Sequence, residues 1–129
     1  MKITKYIDRN LANGEVDYYN TLTNDGSWHS VDLSGIIKDK RAIMVNLQVV
    51  VGPLDASFEL RKDSESCVYP VIDQIGHSSG WCAYIFCPIK KQSLEYNISN
   101  GAMHILRVLG WTIEIDIKCT KFGQVLYGE

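Results

Sequence analysis

Eleven residues, Arg41 to Val51, read R-A-I-M-V-N-L-Q-V-V-V with no glycine or proline among them. Ile43, Val45, Leu47, Val49 and Val51 alternate with Met44, Asn46, Gln48 and Val50. Side chains in a strand point to opposite faces in turn, so one face of this segment is wholly aliphatic. Asn46 and Gln48 make no polar stripe at helical spacing, and Val and Ile favour the pleat. The segment is therefore expected to be a strand with its odd-numbered face in a core. Any fold for the chain must supply a second apolar surface to cover it.

The remaining pattern supplies candidates for that surface. Ala56–Arg61 alternates, with Phe58 and Leu60 inward. Ser93–Ser99 places Leu94, Tyr96 and Ile98 on one face. Trp111–Cys119 places Trp111, Ile113, Ile115 and Ile117 on one face, with Gly110 before it as a bulge or kink. Glu15–Thr23, Trp28–Leu33, Val68–Ile75 and Trp81–Phe86 read as further strands, and Pro70 demotes the third of these to an edge or bulge. Asn24-Asp25-Gly26 and Asn100-Gly101 read as hairpin turns, the second of type I′. The tail from Thr120 could add a short last strand. These runs recur about every ten residues with no amphipathic helix between them, the cue for an antiparallel sandwich or barrel. The expectation is an all-β, antiparallel β-sandwich of about eight strands, jelly-roll-like in type. The chain of 129 residues has room for one domain. Residues 1–14 read as an N-terminal arm and residues 15–129 as the domain.

Composition narrows the function classes. The net charge is −2, and Lys and Arg occur only in short pairs such as Lys40-Arg41, Arg61-Lys62 and Lys90-Lys91. That argues against a basic nucleic-acid surface. No run reaches the ~18 apolar residues that a membrane span needs. The first residues, M-K-I-T-K-Y-I-D-R-N, contain no apolar core of a secretory signal, so synthesis in a cytosol is expected. Cys67, Cys82, Cys87 and Cys119 include no C-x-x-C pair, and Cys82 and Cys87 fall on opposite faces of one strand. They read as free thiols, with no disulfide and no metal site.

Catalytic motifs are weak. Gly76-His77-Ser78-Ser79-Gly80 matches the G-x-S-x-G of serine hydrolases, but W-C-A-Y-I-F follows it. A nucleophile elbow needs a helix there, and this is a strand pattern. His29, His77 and His104 have no second ligand at metal-binding spacing. Carboxylates occur singly, and no glycine-rich phosphate loop precedes a helix. No cofactor and no enzymatic activity are expected. Exposed aromatics offer another chemistry, stacking on sugar rings. Tyr19, Trp81 and His77 are the candidates for contact with a glycan or partner.

Three segments carry a resemblance: W-H-S-V-D-L-S-G-I-I (Trp28–Ile37), A-I-M-V-N-L-Q-V-V-V (Ala42–Val51) and F-E-L-R (Phe58–Arg61). They resemble a small β-sandwich, jelly-roll-like domain of phage and virus structural proteins, such as head fibres, decoration proteins and tail-fibre tips. In that pattern a Trp-containing strand ends in Val-Asp-Leu-Ser and leads by a short loop into an aliphatic strand. The loop often has a Pro and a Gly; here Lys38-Asp39-Lys40 stands instead. The resemblance implies a non-catalytic virion module that assembles as a homo-oligomer, with a trimer favoured. It implies contacts with other virion proteins or surface glycans, and none with nucleic acid or membrane. The strands at Trp28–Leu33 and Ala102–Leu109 carry bulky apolar residues on both faces. Since a sandwich strand normally keeps one wet face, Trp28, Met103 and Ile105 are the candidates for a subunit interface. The alternative is a carbohydrate-binding sandwich using exposed aromatics.

Overall fold

The computed structural model describes residues 1–11, 15–53, 55–63, 69–72, 81–119 and 125–127. Among these residues there are strands and no helix. The strands are β1 (Lys2–Asp8), β2 (Tyr18–Tyr19), β3 (Trp28–Asp32), β4 (Ala42–Gly52), β5 (Ser57–Arg61), β6 (Tyr69–Ile72), β7 (Trp81–Pro88), β8 (Ser93–Ile98), β9 (Met103–Cys119) and β10 (Val125–Tyr127). Sheet A has the order β1-β9-β4-β7, with the short strands β2 and β10 also pairing β9. Sheet B has the order β3-β8-β5-β6. Every pairing is antiparallel. With β2 and β10 set aside, the eight remaining strands in chain order run 1-8-3-6 against 2-7-4-5. This is the strand order of a jelly roll, the fold type expected from the sequence.

The core lies between the sheets. Val45, Leu47, Val49 and Val51 of β4 are fully buried, as are Phe58 and Leu60 of β5 and Leu94 and Ile98 of β8. Ile43 departs from the expected alternation and is 38% exposed. A register shift between Ala42 and Met44 against β9 is the cause, and Ala42 takes the inner place. A second shift lies where Asn46 pairs Gly110 and Leu47 pairs Val108, leaving Leu109 as the extra residue. Before this bulge His104, Leu106 and Val108 point inward; after it Ile113 and Ile115 do. Gly110 therefore marks a bulge, as its place in the sequence suggested.

Two expected hairpins are instead crossings between sheets. β8 pairs β3 and β5, whereas β9 belongs to sheet A, so Asn100-Gly101 joins strands that do not pair. A type I′ turn needs positive φ at both central residues. Here Gly101 has φ 74° and Asn100 is not in the left-handed region; Ala102 N–H closes the turn on Ser99 O at 3.0 Å. The I′ geometry occurs at Lys91 (φ 51°) and Gln92 (φ 61°), with Lys90 and Ser93 exchanging both backbone bonds. Asn24-Asp25-Gly26 likewise carries the chain from sheet A to sheet B. The two crossings are tied together at one end of the sandwich. Gly101 N–H donates to Asn24 O at 2.9 Å, Gly26 N–H to Ile98 O at 2.8 Å, and Asn24 Nδ2 to Ala102 O at 2.9 Å.

The expected arm at residues 1–14 begins with β1, an outer strand of sheet A paired with β9 from Lys2↔Asp116 to Asp8↔Gly110. The Glu15–Thr23 run shrinks to β2, which pairs β9 farther along, Tyr18 opposite Leu106. Between β1 and β2, Arg9 Nη1 donates to Asp17 Oδ2 at 2.7 Å and to Val108 O at 3.1 Å, while Asp17 Oδ2 accepts from Val108 N–H at 2.8 Å. The pair fills the gap along β9 that neither short strand reaches. β6 is an outer strand of sheet B with Pro70 opposite Glu59, where a missing N–H is tolerated.

Candidate functional site

Residues directly opposite in an antiparallel pair share a face, so the register fixes which outward side chains meet. On sheet B the outward rows are Trp28–Asn97–Glu59 and Ser30–Glu95–Arg61. This face is polar. Arg61 Nε donates to Glu95 Oε1 at 2.8 Å, and the guanidinium carbon lies 3.9 Å from the centre of the Trp28 ring. Trp28 is thus partly covered by its own chain through a cation–π contact.

Sheet A presents a different surface. Its rows are Tyr19–Ile105–Val50–Cys82, Arg107–Gln48–Tyr84, Gly110–Asn46–Phe86 and Tyr6–Thr112–Met44. Exposure is 68% for Tyr84, 58% for Tyr19, 52% for Phe86 and 43% for Tyr6. Met103, Ile105 and Val50 are half-buried. At one end of the face is an apolar corner of Tyr19, Met103, Ile105 and Val50. The adjoining row ends in Tyr84, which begins an aromatic shelf completed by Phe86 and Tyr6.

Two sets of hydrogen bonds hold the shelf. Arg107 Nη1 donates to Gln48 Oε1 at 2.7 Å. A guanidinium only donates, so this contact fixes the Gln48 amide with its nitrogen toward β7. Gln48 Nε2 donates to Tyr84 Oη at 3.2 Å and to Cys82 Sγ at 3.4 Å. Asn46 Nδ2 donates to Tyr6 Oη at 3.2 Å, and the Tyr6 and Phe86 rings meet edge-on with centres 6.3 Å apart. Tyr6 reaches them from β1 by crossing β9 at Gly110. A Cβ at Gly110 would overlap the Tyr6 hydroxyl and the Ile7 carbonyl. Asn46 Oδ1 and Arg107 Nε are buried without a hydrogen-bond partner among the described residues.

The other titratable groups serve the fold. His104 is fully buried; its Nε2 accepts from Leu22 N–H at 3.0 Å, so its proton is on Nδ1, 3.2 Å from Ala102 O. Burial holds its pKa below the ordinary value. His29 lies 2.8 Å from Asp25 Oδ1, and that bond lowers the Asp25 pKa. Arg41 lowers that of Asp39, and Ser34 that of Asp32. No group of three His, Cys, Asp or Glu that could hold a metal gathers among the described residues. No helix there is long and apolar enough to cross a membrane.

The residues singled out from the sequence are dispersed. Tyr19 stands beside Ile105 on the outer face of sheet A, with Met103 next along β9, while Trp28 is on the opposite face of the sandwich. Trp81 opens β7 opposite Val51, and its side chain falls outside what is described. His77, Ser78 and Cys67 also lie outside the described residues, as does the side chain of Cys119. The strand β7 begins directly after Gly80, where a nucleophile elbow would need a helix. Cys82 is exposed and Cys87 buried, on opposite faces as their spacing required.

Sequence reasoning missed the shelf. Its signal was present in Asn46 and Gln48 inside an aliphatic strand and in the alternation Cys82, Tyr84, Phe86. Tyr6 gave no signal, because its reach depends on the Gly110 bulge. Comparison of the chain with protein-family models, with curated proteins and with solved structures finds no match.

Proposed function

We propose that the chain is a non-catalytic structural module of a phage or virus particle, assembled as a homo-oligomer. Its subunit contact is the corner of sheet A formed by Tyr19, Met103, Ile105 and Val50. The jelly-roll strand order is compatible with this reading, but viral capsid domains share it with lectins and cupins. The viral part of the proposal rests on the resemblance of Trp28–Arg61.

The observation that carries assembly is the corner itself. Four apolar side chains stand side by side on an outer sheet face, and no helix covers them among the described residues. Monomers seldom leave contiguous apolar surface of this kind in water. Sedimentation equilibrium at micromolar concentration tests the reading. The expected result is a discrete multiple of the 14.6 kDa chain mass, three being favoured by the resemblance. A single 14.6 kDa species at every concentration overturns it.

A further inference from the structure

We propose that the aromatic shelf of sheet A, built from Tyr84, Phe86, Tyr6, Asn46 and Gln48, is a binding site for a neutral sugar. The site adjoins the assembly corner without sharing a residue with it, and the inference does not depend on the chain being viral or oligomeric.

Tyr84 Oη accepts from Gln48 Nε2, and Tyr6 Oη accepts from Asn46 Nδ2, each at 3.2 Å. A phenol has one hydrogen to give. With each oxygen already receiving an amide N–H, each O–H is left to donate away from that amide. The Gln48 amide cannot turn over to take the Tyr84 proton, because Arg107 holds its oxygen at 2.7 Å. The shelf therefore presents the Tyr84 hydroxyl as a donor beside exposed ring faces. A pyranose matches that alternation. Its hydroxyl oxygens accept, and its C–H face packs on an aromatic ring.

The charges in these rows balance. Arg107, whose guanidinium is engaged by Gln48, stands in the row of Gln48 and Tyr84, and Asp8, opposite Gly110, stands in the row of Asn46 and Phe86. One charge of each sign favours no charged ligand, and the exposed Asp8 carboxylate can accept from a sugar hydroxyl. The shelf is also preorganised. The Tyr6–Phe86 edge contact, and Gly110 beneath Tyr6, fix the rings before any ligand arrives.

The test is a titration of the full chain with neutral mono- and oligosaccharides of glucose, galactose, mannose and N-acetylglucosamine, followed by NMR chemical-shift change. The expected result is binding by at least one of these, with shifts centred on Tyr84 and Phe86. Tyr84→Ser and Phe86→Ser should each weaken it roughly two- to tenfold, the range of one aromatic contact. Tyr84→Phe, which keeps the ring and removes the donor, should also weaken it. Circular dichroism confirms that these surface variants fold. Three outcomes overturn the site: no sugar binds at millimolar concentration, binding survives in the Tyr84→Ser/Phe86→Ser double variant, or the double variant lowers the sedimentation mass instead. The last would assign the shelf to the subunit contact, a result separable from failure of the assembly corner.

Discussion

Gly110 shows how one missing side chain can organise a surface. A Cβ there would strike the Ile7 carbonyl as well as the Tyr6 hydroxyl. The first is backbone in the β1–β9 ladder and cannot move aside alone. Gly110→Ala should therefore cost about 1–3 kcal/mol, the usual range for overpacking. Tyr6→Ala should not rescue it, since the backbone clash remains. Urea melts of the two single variants and the double variant read this directly. His104 makes the second prediction at this scale. Its folded pKa lies below the ordinary 6.5 because burial disfavours the imidazolium. The unfolded chain then binds the extra proton first, so stability should fall as pH drops below about 6.5. Protonation would also set a second N–H against Leu22 N–H. Melts at pH about 7 and about 5 should differ more for the native chain than for His104→Gln, whose side chain does not titrate. Equal pH dependence in both would show that His104 is not the source. Neither role was legible in the sequence. Gly110 read as a bulge, and His104 as a histidine without a neighbouring ligand.

Strand identity was readable from alternation; strand partnership was not. The runs at Ala42–Gly52, Ser57–Arg61, Ser93–Ile98 and Met103–Cys119 are strands, with the faces their periodicity implied apart from Ile43. Turn residues signal that a chain reverses, but not whether the returning strand rejoins the same sheet. Asn100-Gly101 therefore reads as a hairpin although it crosses between sheets. β1 reads as an arm because Lys5 interrupts the row of Ile3 and Ile7, which pack on the core. A lysine in the inward row of an outer strand is a known guard against stray pairing, and it hides the strand from periodicity. β4 was legible throughout because sheet A is built around it: β9 lies on one side and β7 on the other. Leu47, fully buried at its centre, should lose about 2–5 kcal/mol on replacement by alanine, through lost transfer energy and the cavity left behind. A loss under about 1 kcal/mol in denaturant melts would mean that neighbouring elements close over the site.

The sandwich as a whole has two unlike sides, and this decides which one assembly would use. From the sequence, the strands at Trp28 and at Met103 looked equivalent, since each carries apolar residues on both faces. The structure separates them. Trp28 sits on the polar face of sheet B, stacked under Arg61, which Glu95 anchors at 2.8 Å. Covering that face with a second subunit would bury the Arg61–Glu95 pair, and buried ion pairs often fail to recover their desolvation cost. Ile105 and Met103 sit on sheet A beside Tyr19 and Val50, where burial removes apolar surface from water and strands no charge. The proposed contact therefore predicts an asymmetry between two substitutions. Ile105→Lys should place a cation in the corner and reduce the sedimentation mass to that of one chain. Trp28→Ala should leave the mass unchanged, costing only the stacking of Arg61, about 0.5–1 kcal/mol for a partly exposed cation–π contact. Circular dichroism shows whether each variant keeps its strands, so loss of assembly is distinguished from loss of fold. If Trp28→Ala lowers the sedimentation mass and Ile105→Lys does not, the contact lies on sheet B and the corner is misassigned.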